Sequence, residues 1–142
     1  MIDIFFTQML DWQKPVALIT IALLFGGMSL FAFGFAASLF TALPPEAARK
    51  VIRQTFPHFY VWVFITSTIA SLLVWQLDTS IRWLLLAIAL STIPTRQLLM
   101  PMINAASDSG NHRGFQWLHG LSVVITLAHI VASAISLVWL VT

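Results

Sequence analysis

Three stretches of this chain are each long enough to cross a lipid bilayer and contain no Asp, Glu, Lys or Arg. They are residues 15–45, 54–77 and 114–142. An α-helix needs about 20 predominantly apolar residues to cross the hydrocarbon core of a membrane. A fourth stretch, residues 83–103, is interrupted by one formal charge, that of Arg96. The sequence therefore predicts an all-α integral membrane four-helix bundle, with spans at about residues 16–41, 57–77, 83–103 and 115–140.

The composition excludes most other classes of protein. Hydrophobic residues make up 59% of the chain and charged residues 8%, whereas a soluble domain carries about 25% charged residues. Lipid must therefore solvate much of the surface, and we expect one transmembrane domain over residues 1–142. The net charge of +2 is spread over short loops, so no nucleic-acid partner is expected. The absence of cysteine excludes disulfides and thiol catalysis.

A basic segment follows the first span. Pro44 and Pro45 stop the first helix, and Pro45 is well placed to open another. Arg49, Lys50 and Arg53 then fall toward one side of the segment. We expect a short basic surface helix between the first two membrane helices, in which these three residues contact lipid head groups.

The distribution of Lys and Arg predicts the orientation. The loops at residues 42–56 and 104–114 together hold four basic residues, whereas the opposite side holds Lys14 and Arg82. Basic residues concentrate in cytoplasmic loops. We therefore expect both loops in the cytoplasm and both termini outside, in a bacterial inner membrane.

Polar residues near the cytoplasmic ends of the predicted helices suggest a shared site. A charge at membrane depth costs roughly 2.5–3.5 kcal/mol, and the predicted spans contain no acid to pair with Arg96. Arg96 could snorkel, bind Asn104 or Asp108, use carbonyls freed by Pro94 and Pro101, or hold an external anion. The candidates for a polar, cytoplasm-facing cavity or anion site are Arg96, Asn104, Asp108, His119 and His58.

The fourth span carries a polar stripe. Its members recur every three or four residues, which places them on one side of a helix. They are Ser122, Thr126, His129, Ser133 and Ser136. We expect this stripe to face the other helices, while the Leu and Val surface faces lipid.

Histidines raise the alternative of a haem or metal site. His119 and His129 lie ten residues apart on one helix, so they cannot clamp one haem from opposite faces. His58 and His119 could do so in principle and are the weak candidates for metal ligation. Without a carboxylate at the same depth the metal signature is poor, and no nucleophile–base arrangement is visible. The sequence predicts no enzyme and no cofactor, with haem as an alternative.

Several short motifs, taken in order, resemble the transmembrane protein 205-like family between Gly26 and Thr126. They are Leu39-Phe40 with Leu43-Pro44, then Phe56-Pro57, Arg96 followed by Pro101-Met102-Ile103-Asn104 and Asp108, and Phe115 with His119-Gly120-Leu121-Ser122. The resemblance implies a four-helix membrane protein without a settled activity, loosely associated with the handling of metal-containing compounds. A more distant likeness to copper-resistance and haem-pathway bundles accompanies it.

The sequence thus leaves three functional hypotheses. The first is a multi-pass membrane protein whose polar cavity serves transport, permeation, or interaction with lipid or anions. The second is a haem- or metal-binding membrane protein. The third is a structural subunit of a membrane assembly. The expected partners are the lipid bilayer and either further copies of the chain or another membrane protein.

Overall fold

The computed structural model describes the backbone of residues 2–142 and the side chains of residues 12–142. Its α-helices are α1 (Ile2–Ser29), α2 (Ala36–Ala42), α3 (Pro45–Leu73), α4 (Thr79–Pro94), α5 (Met100–Asp108) and α6 (His112–Val141). π-Helical segments join α1 to α2 (Leu30–Phe35) and α4 to α5 (Thr95–Leu99). Four continuous helices are therefore long and apolar enough to cross a membrane: Trp12–Ala42, Pro45–Leu73, Thr79–Asp108 and His112–Val141. The predicted all-α four-helix membrane architecture is confirmed.

The four membrane helices pack in a ring in chain order. α1 packs against α3 and α6, α3 packs against α4, and α4 packs against α6. The short connections make sequential helices antiparallel. Two of the helix starts are capped by side chains: Asp78 accepts from the Ile81 N–H at 2.8 Å, and Asn111 accepts from the Gly114 N–H at 2.9 Å. The turn before Asn111 uses Gly110 with φ 69°, a left-handed conformation that glycine adopts without steric cost.

The sequence suggested that the basic segment forms a separate surface helix, and this expectation is wrong. It forms the first turns of α3, which continues through Pro57 as one helix from Pro45 to Leu73. An interior proline removes one N–H donor and leaves the Arg53 carbonyl without its usual helical partner. Membrane helices tolerate that loss where neighbouring groups compensate, so Pro57 did not end the helix. Apolar residues at helical spacing between Ile2 and Trp12 also predict a short helix lying in the membrane interface, but of their side chains only that of Trp12 is among the described residues.

The two π-helical segments interrupt the first and third membrane helices. The Ala36 N–H donates to the Phe31 carbonyl, and the Met100 N–H donates to the Thr95 carbonyl, so each bond spans five residues instead of four. A π-turn inserts one extra residue into the helix, and such turns are frequent at functional sites. One residue corresponds to about 100° of rotation, so each segment changes which side chains face the bundle afterwards.

The bundle has a closed half and an open half. The closed half comprises residues 17–28, 63–74, 81–92 and 129–140, and the open half comprises residues 30–60 and 95–126. Most side chains that are shielded completely lie in the closed half: Ala17, Ile21, Leu24, Met28, Ser67, Ala70, Ser71, Val74, Ile81, Leu85, Ser133 and Ser136. Small residues among them let membrane helices approach closely, so this half is tightly packed.

Tryptophans mark the two ends of the membrane-spanning region. Outward-facing Trp12, Trp75, Trp83 and Trp139 lie at the free end of the closed half. Trp117 lies on α6 at the end of the open half and is 78% exposed. Trp117 and Trp139 are 22 residues apart, or about 33 Å along a helix, close to the hydrocarbon thickness of about 30 Å. Since tryptophans concentrate at membrane–water boundaries, the open half reaches one boundary near Trp117.

Candidate functional site: a cavity in the open half

A cavity of about 400 Å³ lies in the open half. It forms because the first membrane helix leaves its neighbour: α1 packs against α6, but α2, beyond the first π-helical segment, packs against α3. On the other side α5 stays packed against α6. Neither α2 and α6 nor α3 and α5 pack closely against each other, and side chains do not fill the gap between these four helices.

The cavity has apolar walls and a polar rim. The walls include Phe40, Ile52, Phe56, Tyr60, Ile103 and Phe115. The rim includes Arg49, Arg53, Asn104, His112, His119 and Ser122. The lining includes two arginines and two histidines and no carboxylate, so it suits an anion that carries an apolar part.

An ion pair stands at the edge of the cavity. Arg53 binds Asp108 in a bidentate fashion: Nη1 donates to Oδ2 at 3.1 Å, and Nη2 donates to Oδ1. Nη2 also lies 3.4 Å from the Asn104 carbonyl oxygen. The two side chains are 36% and 62% exposed. The pair therefore fastens the start of α3 to the end of α5 in a wet environment.

The five predicted cavity residues separate into two groups. Asn104 and His119 line the cavity, and Asp108 reaches its edge through Arg53. The Arg96 Nε donates to the Pro57 carbonyl at 3.3 Å, outside the lining. Arg96 and Asp108 are twelve residues apart along the third membrane helix, about 18 Å, which is too far for them to pair. The antiparallel neighbour α3 places Arg53 at the level of Asp108 instead.

His58 also lies apart from this cavity. It lines a shallow pocket of about 280 Å³ between α1 and α3, together with Gly27, Phe31 and Trp62. His119 stacks on Phe115 with ring centroids 5.5 Å apart. Because His58 and His119 line different cavities, the structure gives no support for a haem clamped between them. Within residues 12–142, no group of three or more His, Asp or Glu side chains is placed to hold a metal ion.

The polar stripe of α6 faces inward along both halves. Ser122, His129, Ser133 and Ser136 are buried and Thr126 is half-buried. Its four hydroxyl groups donate to carbonyls of α6 itself at 2.7–2.9 Å. His129 also reaches α4, with Nε2 2.8 Å from the Ser91 Oγ.

Sequence reasoning missed the part that α3 plays in this site. Arg49 and Arg53 were expected to contact lipid, and Phe56 and Tyr60 were not assigned a role in the cavity. The four residues are spaced by four, three and four, so they share one face of a continuous helix. That signal was hidden by the assumption that Pro57 starts a new helix. Lys50 points elsewhere and is exposed.

Comparison with known proteins places the site in a family context. A family model described as a domain of unknown function, DUF4149, matches residues 19–112, well over half of the chain. The match includes the cavity residues contributed by α2, α3 and α5. No curated protein and no solved structure matches the chain. The resemblance to the transmembrane protein 205-like family stays a prediction.

Proposed function

The chain belongs to the DUF4149 family, and we propose that its cavity binds a membrane amphiphile with an anionic head group. The observation that carries this proposal is one cavity with an arginine-bearing rim and aromatic walls. Transport and permeation remain uses to which such binding could be put. Lipid binding is the interaction that the shape and charge of the site favour best.

The charge of the rim supports an anionic head group. Arg49 and Arg53 lie four residues apart, on successive turns of α3, and both line the cavity. Guanidinium groups present planar sets of N–H donors that match carboxylate and phosphate oxygens. His112 and His119 add two further side chains that donate hydrogen bonds.

The size and walls of the cavity support an apolar tail. Ligand pockets typically enclose about 300–1,000 Å³ and are lined mainly by apolar and aromatic side chains. This cavity has about 400 Å³, which is enough for a head group and the start of an acyl chain. The remainder of the acyl chain would lie in the gap between α2 and α6, in contact with the surrounding lipid.

The depth of the cavity agrees with this assignment. His119 lies two residues from Trp117, about 3 Å along the helix, and so lies close to the membrane boundary. Lipid head groups occupy that depth. We also propose that this boundary is the cytoplasmic one of a bacterial inner membrane, because the loops at this end hold Arg49, Lys50, Arg53 and Arg113.

The test compares three probes on the full chain purified in a neutral detergent. Dihexanoyl phosphatidic acid supplies both parts of the ligand, inorganic phosphate lacks the tail, and dihexanoyl phosphatidylcholine lacks the net charge. A ligand present at about 100 times its dissociation constant stabilises the folded state by about 2.7 kcal/mol. We expect a corresponding rise in the unfolding midpoint with phosphatidic acid and much smaller rises with the other two probes.

Matched variants locate the binding. We expect Arg49→Gln to weaken phosphatidic acid binding and Lys50→Gln to leave it unchanged, because only the first residue lines the cavity. Equal stabilisation by all three probes, or equal losses in the two variants, would contradict the proposal.

A further inference from the structure

The Arg53–Asp108 ion pair occupies donors that an anionic head group would use. We propose that Asp108 is a built-in competitor for Arg53, and that the cavity therefore selects a phosphomonoester, whose two negative charges displace Asp108 and engage Arg49 and Arg53 together. This inference rests on the proposed function, because it concerns the ligand of the same cavity. In this view Asp108 sets how much negative charge a ligand needs in order to bind.

The geometry makes ligand and carboxylate alternatives. Both Nη atoms of Arg53 contact Asp108, one with each carboxylate oxygen. These two N–H groups form a paired donor edge of the guanidinium, which matches phosphate oxygens as it does carboxylate oxygens. A head group that binds the same edge must replace Asp108, whereas Arg49 lines the cavity and is not paired with that carboxylate.

Replacing the Asp108 carboxylate at Arg53 by a ligand costs little free energy. The Asp108 side chain is 62% exposed, so water solvates it as soon as it leaves Arg53. Solvent-exposed ion pairs contribute little net stability because each charge loses hydration and side-chain freedom when they pair. A ligand with a second attachment point, at Arg49, therefore has the advantage over a single carboxylate.

The contact with Arg53 explains why an aspartate stands at the end of α5. Asp108 is the last residue of α5, and no basic residue lies in the final turn of that helix. The carbonyl groups at a helix C-terminus carry partial negative charge and disfavour an acid there. The helix alone therefore gives no reason for aspartate at this position, and the contact with Arg53 does.

The same geometry selects for head-group charge. A phosphomonoester carries about −1.5 to −2 charges at neutral pH and has enough oxygens to accept from two guanidinium groups. A phosphodiester carries a single charge, as the Asp108 carboxylate does, so replacing Asp108 gains it little. We therefore expect dihexanoyl phosphatidic acid to bind more tightly than dihexanoyl phosphatidylglycerol, which has the same tails.

The decisive measurement is calorimetric titration of both probes into the full chain at fixed, low ionic strength. Removing the competitor in Asp108→Asn should tighten phosphatidic acid binding about fivefold, as expected if the pair is worth about 1 kcal/mol. It should also reduce the preference over phosphatidylglycerol. Glu46→Gln is the control, because it removes one negative charge from the first turn of the same α3 without touching Arg53. Its effect should stay within about twofold.

A double variant keeps the test sharp if Asp108→Asn changes the fold slightly. In an Arg53→Gln background Asp108→Asn should no longer tighten binding, because there is no donor left to release. Asp108→Glu, which keeps the charge, should bind like the wild type. Unchanged or weaker binding by Asp108→Asn, with wild-type binding intact, would overturn the competitor role and leave the proposed function standing. Failure of the wild type to bind phosphatidic acid would remove the proposed function itself.

Discussion

The closed and open halves are built from the same four membrane helices and differ in how closely those helices pack against one another. In the closed half, small residues such as Ser67 and Ser133 are fully buried and allow the helix backbones to approach. In the open half, α2 separates from α6 while the ion pair and aromatic residues hold α3 near α5 and α1. The comparison shows how a small bundle keeps a cavity: one half packs tightly enough to fix the helix directions for the other.

The change from one half to the other coincides with irregular helix geometry. Both π-helical segments lie immediately before residues that line the cavity: Ala36 and Phe40 after the first, Met100 and Ile103 after the second. Each segment rotates the following turns. Phe31, inside the first segment, stacks on Phe59 with ring centroids 4.1 Å apart. These contacts hold the first helix against α3 while it leaves α6.

The largest difference between the halves should appear in core truncation. Leu85→Ala in the closed half removes a fully buried side chain and should lower the free energy of unfolding by about 2–5 kcal/mol. Phe40→Ala in the open half removes a side chain that is 61% exposed and should cost less than about 1 kcal/mol. Reversible unfolding in mixed micelles measures both. Equal costs would mean that the two halves are equally packed.

A smaller effect is expected at the boundary between the halves, where Trp62 lies over Gly27. A Cβ atom at Gly27 would lie 2.2 Å from Trp62 Cη2, so Gly27→Ala forces the indole or the helix to move. The expected loss is about 1–3 kcal/mol. Gly26→Ala is the control, because a Cβ there meets nothing within 4 Å. If both variants unfold at the same denaturant concentration, the close contact of α1 with α3 is not required.

The smallest effect concerns the polar contacts of the open half, and a double-mutant cycle measures it. Arg53→Ala and Asp108→Ala should be non-additive by about 1 kcal/mol, the upper end of the range of exposed ion pairs. Arg96→Ala and Asp108→Ala should be additive within about 0.3–0.5 kcal/mol, because distant residues do not couple. The reverse result would restore Asp108 as the partner of Arg96 and change the description of the site.

The accuracy of the sequence reasoning follows the same division. The inward-facing stripe of α6 could be recognised because a helix with a period of 3.6 residues separates polar from apolar faces. Cavity residues on that helix and at the end of α5 were named for another reason: they are polar and lie at the same end of the predicted helices. The errors concern Pro57 and Arg96. A proline has two outcomes, a helix end or a tolerated interruption, and the local sequence does not distinguish them.

The sequence by itself determined the class of this protein. Long apolar segments must form helices in lipid, because backbone groups in hydrocarbon need internal hydrogen bonds, and four such segments give a four-helix bundle. Only the tertiary structure decided which polar residues meet. Arg53 rather than Arg96 binds Asp108, and His58 and His119 line different cavities. These pairings depend on the vertical register and rotation of neighbouring helices, which π-turns and packing set and which no single segment encodes.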